Sequence, residues 1–144
     1  FIPDSGGAGK FRGGLSQEMI LSVDSNTPAL HSCMYDRTQF AARGFLGGQK
    51  GKAGELFLSD GTKLSPKGRY DLQPGQKVTL RLPGGGGYYD ALERDPNAVL
   101  NDVMQERVSI DAARALYGVV IDTSLWAIDE GATNALRKKM RGKP

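Results

Sequence analysis

Four consecutive glycines, Gly84-Gly85-Gly86-Gly87, constrain this chain more than any other feature. Each loses more backbone freedom on ordering than any other residue, so the run does not suit the interior of an ordinary helix or strand. It either tethers two parts of the molecule or lets backbones approach more closely than a Cβ allows. Its setting favours close packing, because a well-patterned strand precedes it and a helix start follows. Other clusters echo it, at Gly6-Gly7, Gly9, Gly13-Gly14, Gly47-Gly48, Gly51 and Gly54. Gly6, Gly7, Gly13, Gly14, Gly47, Gly48, Gly84, Gly85, Gly86 and Gly87 are the candidate structural motif.

Composition sharpens this. Glycine accounts for 20 of 144 residues, and hydrophobic residues for only 39%. Many positions therefore bury no side chain, and a chain of this kind is expected to lean on a partner. No apolar run approaches the ~20 residues of a membrane-spanning helix. The opening stretch is polar and glycine-rich, unlike a signal peptide. It also starts without methionine, which suits a trimmed chain or a piece of a longer one. The single cysteine, Cys33, forms no internal disulfide and fits a reducing cytoplasm. Formal net charge is +3. Much of the excess comes from Arg137, Lys138, Lys139, Arg141 and Lys143, so the charge is weak support for a nucleic-acid partner.

Residues 17–24 read as a strand, followed by the turn signal Asp24-Ser25-Asn26-Thr27-Pro28. Residues 29–35 read as a second strand and 38–43 as a third. Residues 55–58 form a short strand before Ser59-Asp60-Gly61. Leu72-Gln73-Pro74-Gly75 is a strong turn, with Pro setting φ and Gly serving a positive-φ position. Val78, Leu80 and Leu82 then alternate with Lys77, Thr79 and Arg81. Beyond the glycine run the pattern becomes helical. Asp95 caps a helix whose first residue is Pro96, and Val99, Leu100, Val103 and Met104 form its apolar stripe. Ser109 and Gly118 bracket a second helix. A third is expected over 129–141, its basic last turn matching the negative helix end.

Motifs for chemistry fail on inspection. Gly7-Ala8-Gly9-Lys10 suggests a phosphate loop, but Asp4 stands at the first glycine's place and Phe11 at the hydroxyl's. A dinucleotide fingerprint fails because Arg12 replaces its third glycine. His31 and Cys33 share a strand face and could supply two metal ligands. A zinc site needs three or four protein ligands, and the chain has no further histidine or cysteine. Asp90, Glu93, Asp95 and Asp102 cluster in sequence, but capping and solvated positions account for them better than a paired-carboxylate site. Tyr88 and Tyr89 with Arg81 and Arg94 could stack on bases, though packing is the commoner role. No catalytic, cofactor-binding or metal residue is assigned.

Asp4-Ser5-Gly6-Gly7-Ala8-Gly9-Lys10-Phe11-Arg12-Gly13-Gly14-Leu15 resembles the glycine-rich motif that opens the C-terminal part of hydantoinase B-type subunits. That family includes 5-oxoprolinase, N-methylhydantoinase, caprolactamase and acetophenone carboxylase. Gly44-Phe45-Leu46-Gly47-Gly48 and Leu72-Gln73-Pro74-Gly75-Gln76-Lys77-Val78 follow in the family's order. The most specific piece is Pro83-Gly84-Gly85-Gly86-Gly87-Tyr88 with Leu92-Glu93-Arg94-Asp95-Pro96. Tyr89 and Ala91 stand where the family usually has Gly and Pro, so that turn is expected to be built differently.

The resemblance implies a mixed fold, mostly β and irregular. Short strands and glycine-rich polyproline-II-like segments form a bundle over 1–92, and short α-helices follow over 93–144. Together these make part of a larger multi-chain module. It further implies that hydrolytic and metal-binding residues lie in the N-terminal part of a hydantoinase B-type subunit. ATP would be bound by hydantoinase A-type subunits. The chain would then be a non-catalytic, cytoplasmic structural subunit of a heteromeric ATP-dependent carboxylase (a ligase) similar to acetophenone carboxylase. It would carry no cofactor, nucleic acid or membrane contact of its own. The alternative is a C-terminal fragment of an ATP-dependent hydantoinase or 5-oxoprolinase-type amide hydrolase. A free nucleic-acid or nucleotide-binding module is a third reading.

Overall fold

A computed structural model describes residues 1–142, so Lys143, counted above in the basic tail, lies outside the described residues. The chain is mixed, with short strands and long irregular stretches followed by short helices. Strands β1 (Glu18–Ser22), β5 (Lys77–Arg81) and β3 (Glu55–Leu58) form an antiparallel sheet in the order β1-β5-β3. β2 (Ala29–Met34) pairs antiparallel with β4 (Lys67–Leu72). The alternation in β5 works as read: Val78 and Leu80 are fully buried, and Arg81 faces outward. They pack with Cys33, Leu56 and Leu72 in one small core. The turn before β5 also forms as its residues require, with Gly75 at φ +78° and the Gln76 amide donating to the Gln73 carbonyl.

Two strand readings need correction. Residues 38–43 form no strand, because their backbone is drawn into the glycine region, where Ala42 accepts from the Gly51 amide. Residues 67–72, not expected to be extended, form β4. This segment is mostly exposed, and its pairing with β2 rather than an apolar face holds it extended.

The helices begin and end at their capping residues. Asp95 accepts from the Asn97 amide at the start of α1 (Pro96–Met104), and Ser109 from the Ala112 amide at the start of α2 (Ile110–Tyr117). Gly118 ends α2 in the left-handed conformation, φ +61°. A two-residue pair, β6 (Ile121–Asp122) and β7 (Ala127–Ile128), leads to α3 (Glu130–Arg141), which Asp129 caps. Arg137 donates to the Tyr117 and Arg94 carbonyls, and Arg141 to the Leu92 carbonyl. Part of the basic cluster thus fastens α3 to the rest of the protein. No helix among the described residues is long and apolar enough to cross a membrane.

The helical core contains Ala91, Val99, Val103, Val108, Ala113, Tyr117, Val119 and Ile121. Ala8, from the glycine-rich opening, is buried in the same cluster. The N-terminal segment and the helices therefore share one core.

Candidate functional site

The glycine blocks converge on segment 84–89. It exchanges main-chain hydrogen bonds with four other segments. Gly7 donates to Gly85 (2.8 Å), and Gly85 donates to Gly14 (2.9 Å). Gly87 donates to Gln49 (2.8 Å) and Gly84 to Lys52 (2.9 Å). Phe45 donates to Gly87 (3.0 Å). The outer segments also bond to one another: Gln49 donates to Ala8, Lys52 to Ser5, Gly13 to Gly7, and Gly51 to Ala42. A strand within a sheet has two neighbours in its plane. A segment bonded to four others lies at the centre of a bundle.

Such spacing leaves no room for side chains. A Cβ at Gly84 would meet the Ser5 carbonyl oxygen, one at Gly86 that of Arg43, and one at Gly87 that of Ala8. Gly6, Gly7, Gly13 and Gly48 are equally enclosed by backbone. Gly85 is less tight, its nearest neighbour being the Gly14 amide nitrogen at 3.0 Å. Gly47 is required for another reason, since it holds φ +91°. Gly14 faces open space. The sequence run therefore contains glycines of unequal importance, which composition could not distinguish.

A buried ion cluster joins the bundle to the helices. The Asp102 side chain, on α1, is only 3% exposed. Arg12, from the opening glycine-rich motif, donates to both its oxygens, Nε to Oδ2 at 3.0 Å and Nη2 to Oδ1 at 3.2 Å. Arg94 Nη2 donates to Oδ2 at 2.8 Å, and its Nη1 donates to the Lys10 carbonyl. Arg107 approaches Oδ1 at 3.8 Å from a more exposed position. Asp4 ties the chain's first turn to the same region: its amide donates to Arg107, and its carboxylate accepts from the Ser109 amide. Nearby, burial pushes the Tyr117 phenol up to about 12, so it stays neutral across the physiological range. Sequence order could not pick Asp102 out of the carboxylate group, because both arginines reach it only through the fold.

The other carboxylates have separate duties. Asp90 accepts from the Leu92 amide, Asp95 caps α1, and Glu93 pairs with Lys10. Arg81 lies between Glu18 and Glu55 on the sheet, at 2.7 and 3.2 Å. The two arginines considered as base-stacking partners are thus both engaged with carboxylates. Tyr88 and Tyr89 join Phe11 and Phe45 in an aromatic cluster: Phe45 stacks on Tyr88 at 5.9 Å, and the tyrosine rings lie 4.2 Å apart. Tyr89 holds φ +59°. It therefore holds a left-handed backbone conformation of the kind that favours glycine.

His31 and Cys33 stand on β2, opposite Tyr70 and Gly68. Cys33 is buried in the sheet core, and that burial pushes its thiol up, away from the reactive thiolate. His31 stacks on Tyr35 at 6.4 Å. No group of three or more His, Cys, Asp or Glu able to hold a metal ion occurs among the described residues. Replacing both, His31→Asn with Cys33→Ser, is expected to leave the activity of an assembled complex largely intact, with no loss of metal. Activity assay and elemental analysis check this.

Residues 1–91 match the sequence profile of the hydantoinase B/oxoprolinase family, and the chain belongs to that family. It is 38% identical over 148 aligned residues to caprolactamase subunit beta of Pseudomonas jessenii, covering 94% of this chain and 24% of that one. An uncharacterized protein of Methanocaldococcus jannaschii is 40% identical over 121 residues, covering 82% of this chain and 21% of the relative. The chain thus spans less than a quarter of the curated relatives it matches. The crystal structure of the P. jessenii ATP-dependent caprolactamase superposes with TM-score 0.71 at 37% identity, over 95% of this chain and 25% of that one. Nucleotide-free acetone carboxylase superposes with TM-score 0.72 at 19% identity, over 97% and 24%, a likeness of fold.

Proposed function

We propose that this chain is a non-catalytic structural module of a hetero-oligomeric, ATP-dependent enzyme of the hydantoinase and carboxylase type. Regions 1–92 and 93–144 act together as one part of that larger assembly. A large hydantoinase B-type polypeptide would supply the reacting groups and any divalent metal, and hydantoinase A-type subunits would bind ATP. The observation carrying this reading is the continuous similarity of nearly the whole chain to about a quarter of caprolactamase subunit beta. The side chains gathered here serve packing, capping and ion pairing.

Two finer readings follow from different relatives. Identity of 37% to an ATP-dependent caprolactamase favours amide hydrolysis. The resemblance of the glycine motifs to the family that includes acetophenone carboxylase supports instead a ligase of that type, acting on a ketone and bicarbonate. Co-purification from the source cells with mass spectrometry of the associated polypeptides tests assembly. ATP hydrolysis stimulated by a lactam, or by a ketone with bicarbonate, then separates the two. The isolated, folded chain is expected to hydrolyse no ATP. Turnover by the chain alone, in a sample shown free of partners, would overturn the module reading.

We also infer that the glycine segments adopt polyproline-II geometry. A left-handed helix with three residues per turn and no internal hydrogen bonds presents main-chain groups in several directions. That property would supply the four-way bonding of segment 84–89.

A further inference from the structure

Phe11, Phe45, Leu46, Tyr88 and Tyr89 form an exposed apolar face on the glycine bundle. Phe45 is 65% exposed, Phe11 56% and Leu46 53%. The backbone beneath them is fixed. Phe11 and Tyr88 exchange amide and carbonyl bonds, Lys10 donates to Tyr89, and Tyr89 donates to Phe45. Gly48 also donates to Phe45, closing the turn that carries Leu46.

Two of these residues hold unfavourable backbone conformations, Leu46 at φ +48° and Tyr89 at φ +59°. Left-handed backbone is costly for a residue with a large side chain and persists where the surroundings impose it. Here it presents two apolar side chains to water. The exposed part of the face amounts to about 500 Å², estimated from ring areas of ~150–250 Å². That is near the upper end for a soluble monomer. Two flanking cations are engaged elsewhere, Lys10 with Glu93 and Arg94 with Asp102.

We propose that this aromatic face docks against the remainder of a hydantoinase B-type polypeptide, the larger part of its relatives that this chain does not span, through an apolar surface there. The inference rests on the module reading above. All five residues lie within the stretch that matches the family. A second copy is a poorer occupant, because a stable pair needs ~800 Å² from each partner. A polypeptide already held in the same assembly by other contacts does not need that area here.

The test places a photo-reactive benzoylphenylalanine at Phe45 or Tyr88, with Met34 as an exposed control site on the β2–β4 pair. The tagged chain is irradiated in the complex purified from its source cells, and cross-linked peptides are mapped. The expected product joins both probes to hydantoinase B-type sequence outside the region this chain matches, within the same polypeptide or a separate one. Cross-links to a second copy, to a hydantoinase A-type subunit, or at Met34 alone would overturn the docking proposal while leaving the module reading intact. A chain neither joined to nor co-purified with a hydantoinase B-type polypeptide would overturn both.

The double variant Phe45→Ser/Tyr88→Ser gives a second readout. It is expected to reduce recovery or protection of that polypeptide at least tenfold, with a normal far-ultraviolet spectrum of the chain. Undiminished association by the folded variant would overturn the proposal, and the cross-linking result decides if the variant does not fold.

Discussion

Gly86→Ala and Gly87→Ala are expected to lower stability by about 3 kcal/mol each, at the upper end of typical overpacking penalties. The methyl group at 86 enters the space of the Arg43 carbonyl, and the one at 87 that of Ala8. Neither obstacle is a side chain that can rotate away. Separation of the segments would also stretch the Phe45–Gly87 and Gly87–Gln49 hydrogen bonds, each worth ~1 kcal/mol. The melting temperature should fall by roughly 10 °C, using the usual entropy scale for chains near this size. Gly85→Ala should cost less, about 1 kcal/mol, since it only grazes the Gly14 amide. Gly14→Ala, with open space, should be neutral or stabilising by ~0.4–1 kcal/mol through the unfolded chain. Thermal melts of the four variants provide the comparison. Equal, small effects at 14, 86 and 87 would make the glycine run a tether and remove the bundle as an account of its composition.

The second large effect is expected at Asp102. Asp102→Ala leaves the Arg12 and Arg94 guanidinium groups, 14% and 15% exposed, without their shared carboxylate. Breaking a buried pair from one side typically costs 3–5 kcal/mol, about the expected loss here. The loss should persist at high salt, because ions do not screen a pair shielded from solvent well. Arg107→Ala supplies the contrast: its side chain is 45% exposed and 3.8 Å from the carboxylate. Its effect should stay within ~1 kcal/mol and fade with salt. Chemical denaturation of both variants at low and high salt distinguishes a clamp from an incidental ion pair. A loss under 1 kcal/mol for Asp102→Ala would mean that the helices stay on the bundle without this ion cluster, through apolar packing and the Asp4–Ser109 and Arg94–Lys10 hydrogen bonds.

Local rules made the helices readable. Asp95, Ser109, Asp129 and Gly118 each cap or terminate as their chemistry dictates, and such signals act within a few residues. The three-stranded sheet was legible in β5, where strict alternation fixes the buried face. β4 was not legible, because an exposed paired segment such as Lys67–Leu72 carries little apolar periodicity. The misread stretch 38–43 has the opposite character: its composition permits a strand, but neighbouring backbone claims it first. The glycine run announced close packing but not its partners. Those are set by hydrogen bonds between residues far apart in sequence, and no spacing rule within the chain encodes them. The same holds for Asp102, whose importance depends on Arg12 arriving from the other end of the chain.

The four-way bonding of segment 84–89 has a consequence for the order of assembly. Each of the outer segments precedes it in the chain, so during synthesis they emerge before the backbone that will hold them together. Until Gly84 to Gly87 arrive, the amides and carbonyls that bond to them must stay hydrated, pair wrongly or find temporary protein partners. Distant pairings of this kind slow folding and prolong the exposure of unpaired backbone. The separate segments can close around their common axis only after residues 84–89 have themselves left the ribosome.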